Sequence, residues 1–289
     1  MAITYDAIRR ATADLYAWSL RTVPDDAVAA LRAALDTETA EQARKVLRFM
    51  LTAAERAKSD DTYLCTDAGV PSYDVKIGTA ARIDGDIRQA IVDGFADLCA
   101  TAEPPILKFV TNPLTNQRSF AGKDMPLVTW DVASGADHVE MTCSPKALGT
   151  GRWASIETFV SPSLETIERH VMECVLKAGS QPCPPVVVGV GIGGTFDIAA
   201  KLASKATLRR LGTINPEPIL ADMERRLFEA INATGFGPMG TGGDTTALGV
   251  HIDYASGHGY TPVAVCFNCW INRRTRARIH DSGEIERCE

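Results

Sequence analysis

The sequence predicts an α+β fold, in which a helical N-terminal region is followed by a mixed sheet flanked by helices. Apolar residues recur at helical spacing through residues 1–58. Short apolar runs of strand length follow at irregular intervals, and the later helices come in blocks. A regular βαβ winding would alternate evenly, so a mixed sheet is favoured. We expect one domain, residues 1–289, with the helical region 1–58 inside it.

Helix boundaries are marked by polar residues in the first 100 positions. A first helix is expected in TYDAIRRATADLYAWSLRT, near the N-terminus. Asp25 and Asp26 begin a second helix, and Thr37 and Thr39 precede a third, since acidic and hydroxyl side chains favour helix N-termini. A fourth helix is predicted over residues 84–100.

The rest of the chain alternates irregularly between strands and helices. Two helices end at glycines, Gly179 and Gly235, as helices often do. The apolar run 185–192 predicts a buried strand that leads into the helix of GGTFDIAAKLASKATLRR. The other elements are strands over 126–132, 137–143, 247–254 and 261–268, and helices over 163–179 and 219–235.

Composition excludes several classes of protein. The formal net charge is −6 and the pI is about 5.5, so nothing indicates nucleic-acid binding. No apolar run approaches the roughly 20 residues that span a bilayer, and the N-terminus does not resemble a signal peptide. A cytoplasmic location is therefore expected. There the eight cysteines would be thiols or metal ligands, with Cys99 and Cys174 as small buried residues of helices.

Polar chemistry is concentrated in four segments rich in Gly, Pro, Cys and charged residues. We expect them to be loops outside the core, held by a rigid scaffold. They are CTDAGVPSYDVKIG (65–78), CSPKALGTGR (143–152), CPPVVVGVGIGGT (183–195), and GFGPMGTGGDTTALG (235–249) continuing to CFNCWINRR (266–274).

Two local patterns permit other functions. Gly189, Gly191 and Gly194 satisfy G-x-G-x-x-G after a strand, which leaves an NAD-dependent dehydrogenase as an alternative. Against it, no second strand ending in Asp or Glu follows about 20 residues later. Cys266-x-x-Cys269 is a weak signal for zinc or thiol redox chemistry, because no second ligand pair follows and the motif ends a strand.

Together the polar segments resemble the iron–sulfur half of the class I fumarase family, and most closely its L-tartrate dehydratase α subunits. Cys65-Thr66-Asp67-Ala68-Gly69 resembles the family's Cys-Gln-Asp-Thr-Gly, and Cys183-Pro184-Pro185 its Cys-Pro-Pro block. Gly237-Pro238-Met239-Gly240 resembles its Gly-Pro-Gln-Gly segment. PVAVCFNCWINRR resembles the block that holds the third cluster cysteine, here Cys269. The four blocks are collinear over nearly the whole chain.

The resemblance implies a hydro-lyase that contains a [4Fe–4S] cluster. By motif, the cluster ligands would be Cys65, Cys183 and Cys269. Electron-transfer clusters usually have four cysteine ligands, so three would leave one iron open as a Lewis acid. The expected reaction is the reversible hydration or dehydration of a small hydroxydicarboxylic acid. A cluster-bearing subunit without turnover is a third possibility.

Catalytic roles follow from the same resemblance. Asp67, two residues from a cluster cysteine, would carry a proton or position the substrate. The alternative is that its carboxylate caps the loop by binding backbone amides. His258 lies near the family's active-site histidine, displaced by one position, and is alternatively a surface loop residue. Thr66 would offer a hydroxyl to the substrate.

The substrate-binding residues depart from the family pattern. Arg152, in a loop with Gly149 and Gly151, would bind a carboxylate bidentately or else be a solvated surface residue. Lys108 stands where the family usually has a carboxylate-binding Arg, and the two are not interchangeable. Thr66 replaces a Gln, and residues 144–149 replace a Gly-Gly-Gly loop. Tartrate, malate or fumarate, and citramalate-like acids all remain open as substrates.

A partner subunit is also expected. Single-chain class I fumarases resemble this sequence only in their N-terminal part and continue into a second domain. That domain would here be a separate β subunit of roughly 200 residues, a typical domain size. The resemblance implies an α₂β₂ assembly.

Overall fold

The computed structural model describes residues 1–288, and the chain divides into two compact units. The first unit contains Met1–Pro24, Ala54–Ala147 and the residues from Arg273 on. The second contains Asp25–Ala53 and Leu148–Asn272.

The elements of the first unit are β1 (Ile3–Thr4), α1 (Tyr5–Arg21), β2 (Ser72–Gly78), β3 (Ile83–Asp84), α4 (Ile87–Thr101), β4 (Val110–Thr111), β5 (Arg118–Ser119), β6 (Leu127–Ala133), β7 (Val139–Cys143), β12 (Thr275–Ile279) and β13 (Ile285–Arg287). Five of the strands form a sheet in the order β13-β12-β7-β2-β6, in which only β2 and β6 are parallel. Two short strand pairs, β1 with β3 and β4 with β5, accompany it.

Helices α1 and α4 cover one face of this sheet. Tyr73 and Val75 of β2 and Met141 of β7 alternate inward and are fully buried in the core that these helices close. Alternation of this kind places every second side chain on the opposite face.

The opposite face of the five-stranded sheet carries alternating charges at one register. Asp131 pairs with Lys76, Lys76 with Glu140, Glu140 with Arg278, and Arg278 with Glu286, from β6 across to β13. Lys76 Nζ lies 3.1 Å from Glu140 Oε1, Arg278 Nε lies 3.6 Å from Glu140 Oε2, and Arg278 Nη1 lies 3.9 Å from Glu286 Oε1. Opposite charges on neighbouring strands favour this pairing over a shifted one.

The elements of the second unit are α2 (Asp25–Thr37), α3 (Glu41–Ser59), α5 (Leu148–Gly151), β8 (Ser155–Val160), α6 (Leu164–Ala178), β9 (Val186–Gly193), α7 (Phe196–Ala206), α8 (Pro218–Asn232), β10 (Ala247–Ala255) and β11 (Tyr260–Asn268). Helix α3 is divided between the two units after Ala53. The four strands form a sheet in the order β10-β9-β11-β8, with β9 and β10 parallel and the other pairs antiparallel.

Strand β9 is buried on both faces, which explains its continuous apolar run. Val188 and Val190 pack with α6 and α8 on one face. On the other face Gly189 and Gly191 lie against α7, where Ala203 packs on Ala264 of β11. Small residues on this face allow the helix to approach the strand closely.

The predicted α+β class is confirmed, and the helices predicted in residues 1–58 and at 84–100 are present with small shifts of their ends. The buried strand predicted over residues 185–192 is confirmed as β9 (Val186–Gly193), so the expectation that the whole segment 183–195 lies outside the core was wrong. The same expectation was wrong for residues 72–78, which form the strand β2. Strand β8 and the strands after residue 274 were also missed.

Within residues 1–288, no helix has both the length and the apolar character required to cross a bilayer.

Candidate active site

The first site segment, residues 65–70, is a tight loop in the first unit. Gly69 has φ +80°, and a Cβ there would lie 3.0 Å from the carbonyl carbon of Lys146. Val70 and Lys146 exchange backbone hydrogen bonds of 2.9 and 3.2 Å. The close approach and the left-handed conformation therefore require glycine at position 69. Cys65 is half-buried and Thr66 is exposed.

Buried donors bind the carbonyl oxygens of this loop. The single hydroxyl proton of Tyr16 is shared between Ala68 O at 3.1 Å and Gly69 O at 2.9 Å. Arg273 Nη1 donates to Asp67 O at 2.7 Å and to Ala68 O at 3.1 Å. Burial raises the pKa of Tyr16 well above its usual value, so the hydroxyl keeps its proton. Three consecutive carbonyls are thus fixed on the inner side of the loop.

The Asp67 carboxylate takes part in the same loop. Its Oδ1 accepts a hydrogen bond of 2.9 Å from the N–H of Gly69, which is the loop-capping contact considered for this residue. One oxygen of a carboxylate can accept such a bond while the group keeps further acceptor capacity. The capping contact therefore holds Asp67 in a defined position and is compatible with a second role.

In the second unit, three segments converge on Cys183. Cys183 has φ 58°, a left-handed conformation uncommon outside glycine, and its N–H donates to Ser180 O at 3.2 Å. Its carbonyl accepts from the N–H of Trp270 at 3.2 Å, next to Cys269. The neighbouring carbonyl, of Pro184, accepts from the N–H of Met239 at 2.8 Å. The Cys-Pro-Pro, Gly-Pro-Met-Gly and Cys269 blocks are therefore bonded together.

Cys269 lies in a turn that is held by hydrogen bonds of two buried asparagines, which the sequence analysis did not identify. The N–H of Asn272 donates to Cys269 O at 2.8 Å. The Asn268 side chain donates to Asn272 Oδ1 at 3.0 Å and to Thr207 O at 3.4 Å, and both asparagines are buried. Buried amides in this turn fix the backbone around the half-buried Cys269.

Gly149 and Arg152 lie at the short helix α5 rather than in an extended loop. A Cβ on Gly149 would lie 2.6 Å from Gln181 O, so glycine allows α5 to pack on the segment before Cys183. Gly151 has open space around it. Arg152 is exposed, with its guanidinium carbon 5.2 Å from the centre of the Trp153 ring. The aromatic face restrains the cation without removing it from solvent.

A further supporting residue, Glu38, was not identified from the sequence. It is buried, and its carboxylate accepts from the N–H groups of Ala40 at 3.0 Å, Asp244 at 2.9 Å and Thr245 at 3.1 Å. In return the Asp244 carboxylate accepts from the Thr39 N–H and hydroxyl, which lower the pKa of Asp244. The loop after Gly240 is thereby tied to the start of α3.

His258 is not brought together with Cys183 and Cys269. It is exposed in the turn between β10 and β11, with its ring 5.8 Å from that of Tyr260. The register pairs Val263 with Ile192 and Asn268 with Val187, so His258 lies at one end of the sheet and the two cysteines at the other. The seven residue steps of β9, from Val186 to Gly193, span about 23 Å.

Lys108, in the first unit, is also exposed, and its Nζ lies 5.6 Å from the centre of the Phe120 ring. It stands just before β4. The structure thus gives Lys108 a solvent-accessible amine beside an aromatic ring.

The glycines of the G-x-G-x-x-G pattern have a packing function. Cβ atoms on Gly189 and Gly191 would lie 2.2 Å from Ala203 O and 2.0 Å from Ala199 O, both on α7. In a dinucleotide fold the first two glycines form the turn after the strand. Here both lie inside β9, so they do not form that turn.

The cysteines were tested for their fit to an iron–sulfur cluster. All eight are thiols rather than disulfides, and Cys65, Cys183 and Cys269 are half-buried. No three His, Cys, Asp or Glu residues within 1–288 are arranged around a single metal ion. A cluster is larger than one ion, and its thiolates stand farther apart. Arg273 is buried with its Nε unpartnered, which fits an anionic group bound near its loop. Three half-buried thiols are therefore available as ligands, Cys65 in the first unit and Cys183 and Cys269 in the second.

Comparison with known proteins gives consistent relationships. The profile of the Fumarate hydratase (Fumerase) family matches residues 9–278. The "Putative L(+)-tartrate dehydratase subunit alpha" of Methanocaldococcus jannaschii is 36% identical over 264 residues, covering 89% of this chain and 92% of the relative. The L(+)-tartrate dehydratase subunit alpha of Escherichia coli K12 is 31% identical over 262 residues, covering 89% and 86%.

Proposed function

Since the chain belongs to the fumarate hydratase family, whose members are hydro-lyases, we propose that it is the cluster-binding α subunit of an enzyme that reversibly hydrates a small dicarboxylic acid. The substrate would be tartrate-like, malate- or fumarate-like, or citramalate-like. The proposal rests on one observation. Backbone hydrogen bonds join the segments that contain Met239 and Cys269 to the Cys183-Pro184 segment of the second unit. We propose that residues 1–289 act as one functional domain.

Cys65, Cys183 and Cys269 would hold a [4Fe–4S] cluster. When bound with one iron free of thiolate, such a cluster supplies a Lewis acid for the substrate hydroxyl. The rigid backbone around each cysteine supports this assignment, because cluster binding needs thiolates held at fixed positions. A cluster of this kind needs a reducing compartment, so we place the enzyme in the cytoplasm.

The chain's own side chains would bind the substrate and move a proton. Asp67, held by Gly69 N–H, would position the substrate or exchange a proton at the carbon next to the hydroxyl-bearing carbon. The exposed hydroxyl of Thr66 would donate to the substrate. Arg152 would bind a carboxylate through two parallel hydrogen bonds, with the open space at Gly151 leaving room for it and Gly149 letting α5 pack on the segment before Cys183.

Lys108 would contribute a point charge to a substrate carboxylate, in place of a bidentate guanidinium. Its exposure supports access to a ligand. Because one ammonium constrains geometry less than a guanidinium fork does, this substitution is expected to alter substrate preference rather than the chemistry.

His258 would act at the site of a second α chain. Its position at the opposite end of the sheet from Cys183 and Cys269 supports this assignment, because a side chain cannot reach across about 23 Å. An α₂β₂ assembly supplies the second copy.

The partner would be a β subunit. The relatives are named "subunit alpha", which supports a second kind of chain in the complex. That chain would supply further carboxylate-binding and acid–base groups and cover the cluster from solvent.

The deciding experiment is an anaerobic assay of the chain, reconstituted with iron and sulfide and combined with its β partner, against a panel of hydroxydicarboxylates. We expect a brown protein that turns over at least one acid only when the partner is present. Full turnover by the chain alone would contradict the partner. A colourless protein that responds to NAD(H) would favour a dehydrogenase, and a brown but inactive complex would favour a non-catalytic subunit.

A further inference from the structure

Arg273 is a buried cation with neutral partners. Only 4% of the residue is exposed, and its two hydrogen bonds go to the backbone carbonyls of Asp67 and Ala68. Its Nε has no hydrogen-bond partner within residues 1–288. A buried guanidinium without a carboxylate is costly, because the charge is removed from water without compensation. We therefore expect the hydrogen bonds of this guanidinium to serve a function beyond stability.

The contacts of Arg273 indicate that this function is to hold the backbone of the Cys65 loop. Its two bonds, with those of Tyr16, hold the carbonyls of residues 67–69 on the inner side of the loop. Turning three carbonyls inward leaves Thr66 exposed and Asp67 half-buried. The same loop carries Cys65 and Asp67, so its backbone conformation determines where both side chains lie.

We propose that Arg273 is a positioning residue of this hydro-lyase, which sets the conformation of the Cys65–Gly69 loop before any ligand binds. The proposal rests on the proposed function for its catalytic part. Arg273 does not touch the substrate in this scheme and acts through the loop backbone.

Hydrogen exchange of the chain without cluster tests the positioning. The amides of Gly69 and Val70 are bonded to Asp67 Oδ1 and Lys146 O and report the loop conformation. In Arg273→Met these amides should exchange about tenfold faster, with the rest of the first unit unchanged. Arg273→Lys, which retains the charge on a single donor nitrogen, should lie between the two. Arg278→Met, which removes a cation of the opposite sheet face, is the matched control and should leave both amides unchanged.

Kinetics of the reconstituted complex give the second readout. Arg273→Met should lower kcat by about 10²-fold, the scale of a misplaced catalytic group, with KM little changed. Arg273→Lys should recover part of the loss. Unchanged exchange at Gly69 and Val70 in Arg273→Met, or faster exchange throughout the unit, would overturn the proposal. If Arg273→Met does not fold, the Arg273→Lys chain provides the test. Exchange at Gly69 and Val70 that is unaltered in Arg273→Lys would overturn the proposal in the same way.

The exchange experiment does not depend on the cluster or on turnover. If the wild-type complex fails against the whole substrate panel, the proposed function fails while the exchange result stands. If the wild-type complex is active and the variants match it in exchange and in kcat, only the role of Arg273 fails.

Discussion

The backbone carbonyl of Cys183 accepts a hydrogen bond from the N–H of Trp270 at 3.2 Å, so two cysteines 86 positions apart are held on bonded segments. This bond follows from the antiparallel pairing of β9 and β11, which brings the start of one strand beside the end of the other. The positions of Cys183 and Cys269 are therefore consequences of the sheet, and each can be tested by substitution.

Replacement of Cys65, Cys183 or Cys269 by serine should abolish cluster binding, because each removes one of three thiolates. Cys99→Ser and Cys174→Ser should retain the cluster. Iron and sulfide analysis with electron paramagnetic resonance after anaerobic reconstitution checks both groups. On exposure to air, the wild-type cluster should convert to a [3Fe–4S] form. Retention of a full cluster in any of the first three variants would remove that cysteine from the ligand set.

Asp67→Asn should keep the cluster and lose most turnover. The amide oxygen of Asn can still accept the Gly69 N–H, so the loop should remain folded while the acid–base function is lost. The expected loss in kcat is about 10²–10⁴-fold. A rate near that of the wild type, measured anaerobically with the partner subunit, would leave Asp67 with the loop-capping function alone.

His258→Ala should inactivate the complex, yet mixing it with Cys183→Ser should restore activity. In a mixed assembly one site combines an intact cluster from one chain with His258 from the other. Random pairing of equal amounts gives half mixed dimers with one working site of two. Recovery should therefore approach one quarter of the wild-type rate. Its absence, with both chains shown to co-assemble, would contradict the action of His258 at the site of a second chain.

Glu38→Ala should destabilise the second unit by about 3 kcal/mol, because three backbone N–H groups lose their acceptor. Urea denaturation measures the change. Glu41→Ala is the matched control, since its 3.7 Å contact with Lys45 is solvent-exposed and contributes at most about 0.5 kcal/mol. Equal effects of the two substitutions would show that Glu38 does not hold the loop.

Gly191→Ala should destabilise the chain by about 3 kcal/mol, because the new methyl group would overlap the Ala199 carbonyl of α7. Gly259→Ala, whose nearest neighbour is Ser161 Oγ at 4.0 Å, should change stability by less than about 0.5 kcal/mol. Thermal unfolding compares the two. A Gly191→Ala chain with normal stability that loses a response to NAD(H) would instead favour the dinucleotide interpretation.

The helices were predictable because their apolar residues repeat at helical spacing and polar residues mark their ends. Strand β12 was missed although Thr275, Ala277 and Ile279 alternate with Arg276 and Arg278, because the arginines give the segment the composition of a polar tail. Strand β2 was missed for a similar reason. It directly follows the polar Cys65 loop, and its outward residues are charged.

The parts of the site that lie in the cysteine, glycine and proline motifs could be predicted from the sequence. The residues that hold these motifs in place could not be predicted, because their contacts join positions far apart in the sequence. Glu38 binds a loop more than 200 positions away, and Arg273 binds the Cys65 loop from a similar separation. His258 could not be separated from the cysteines until the strand register showed which end of the sheet each one occupies.

The alternating charges of the five-stranded sheet constrain how this surface can evolve. Lys76 stands between Asp131 and Glu140, so reversing its sign alone would place three carboxylates side by side. Reversal would be tolerated only if its neighbours changed as well. In an alignment of relatives these positions should therefore covary in sign, and grafting a foreign β12 into this chain should succeed only when Arg278 keeps its charge opposite Glu140.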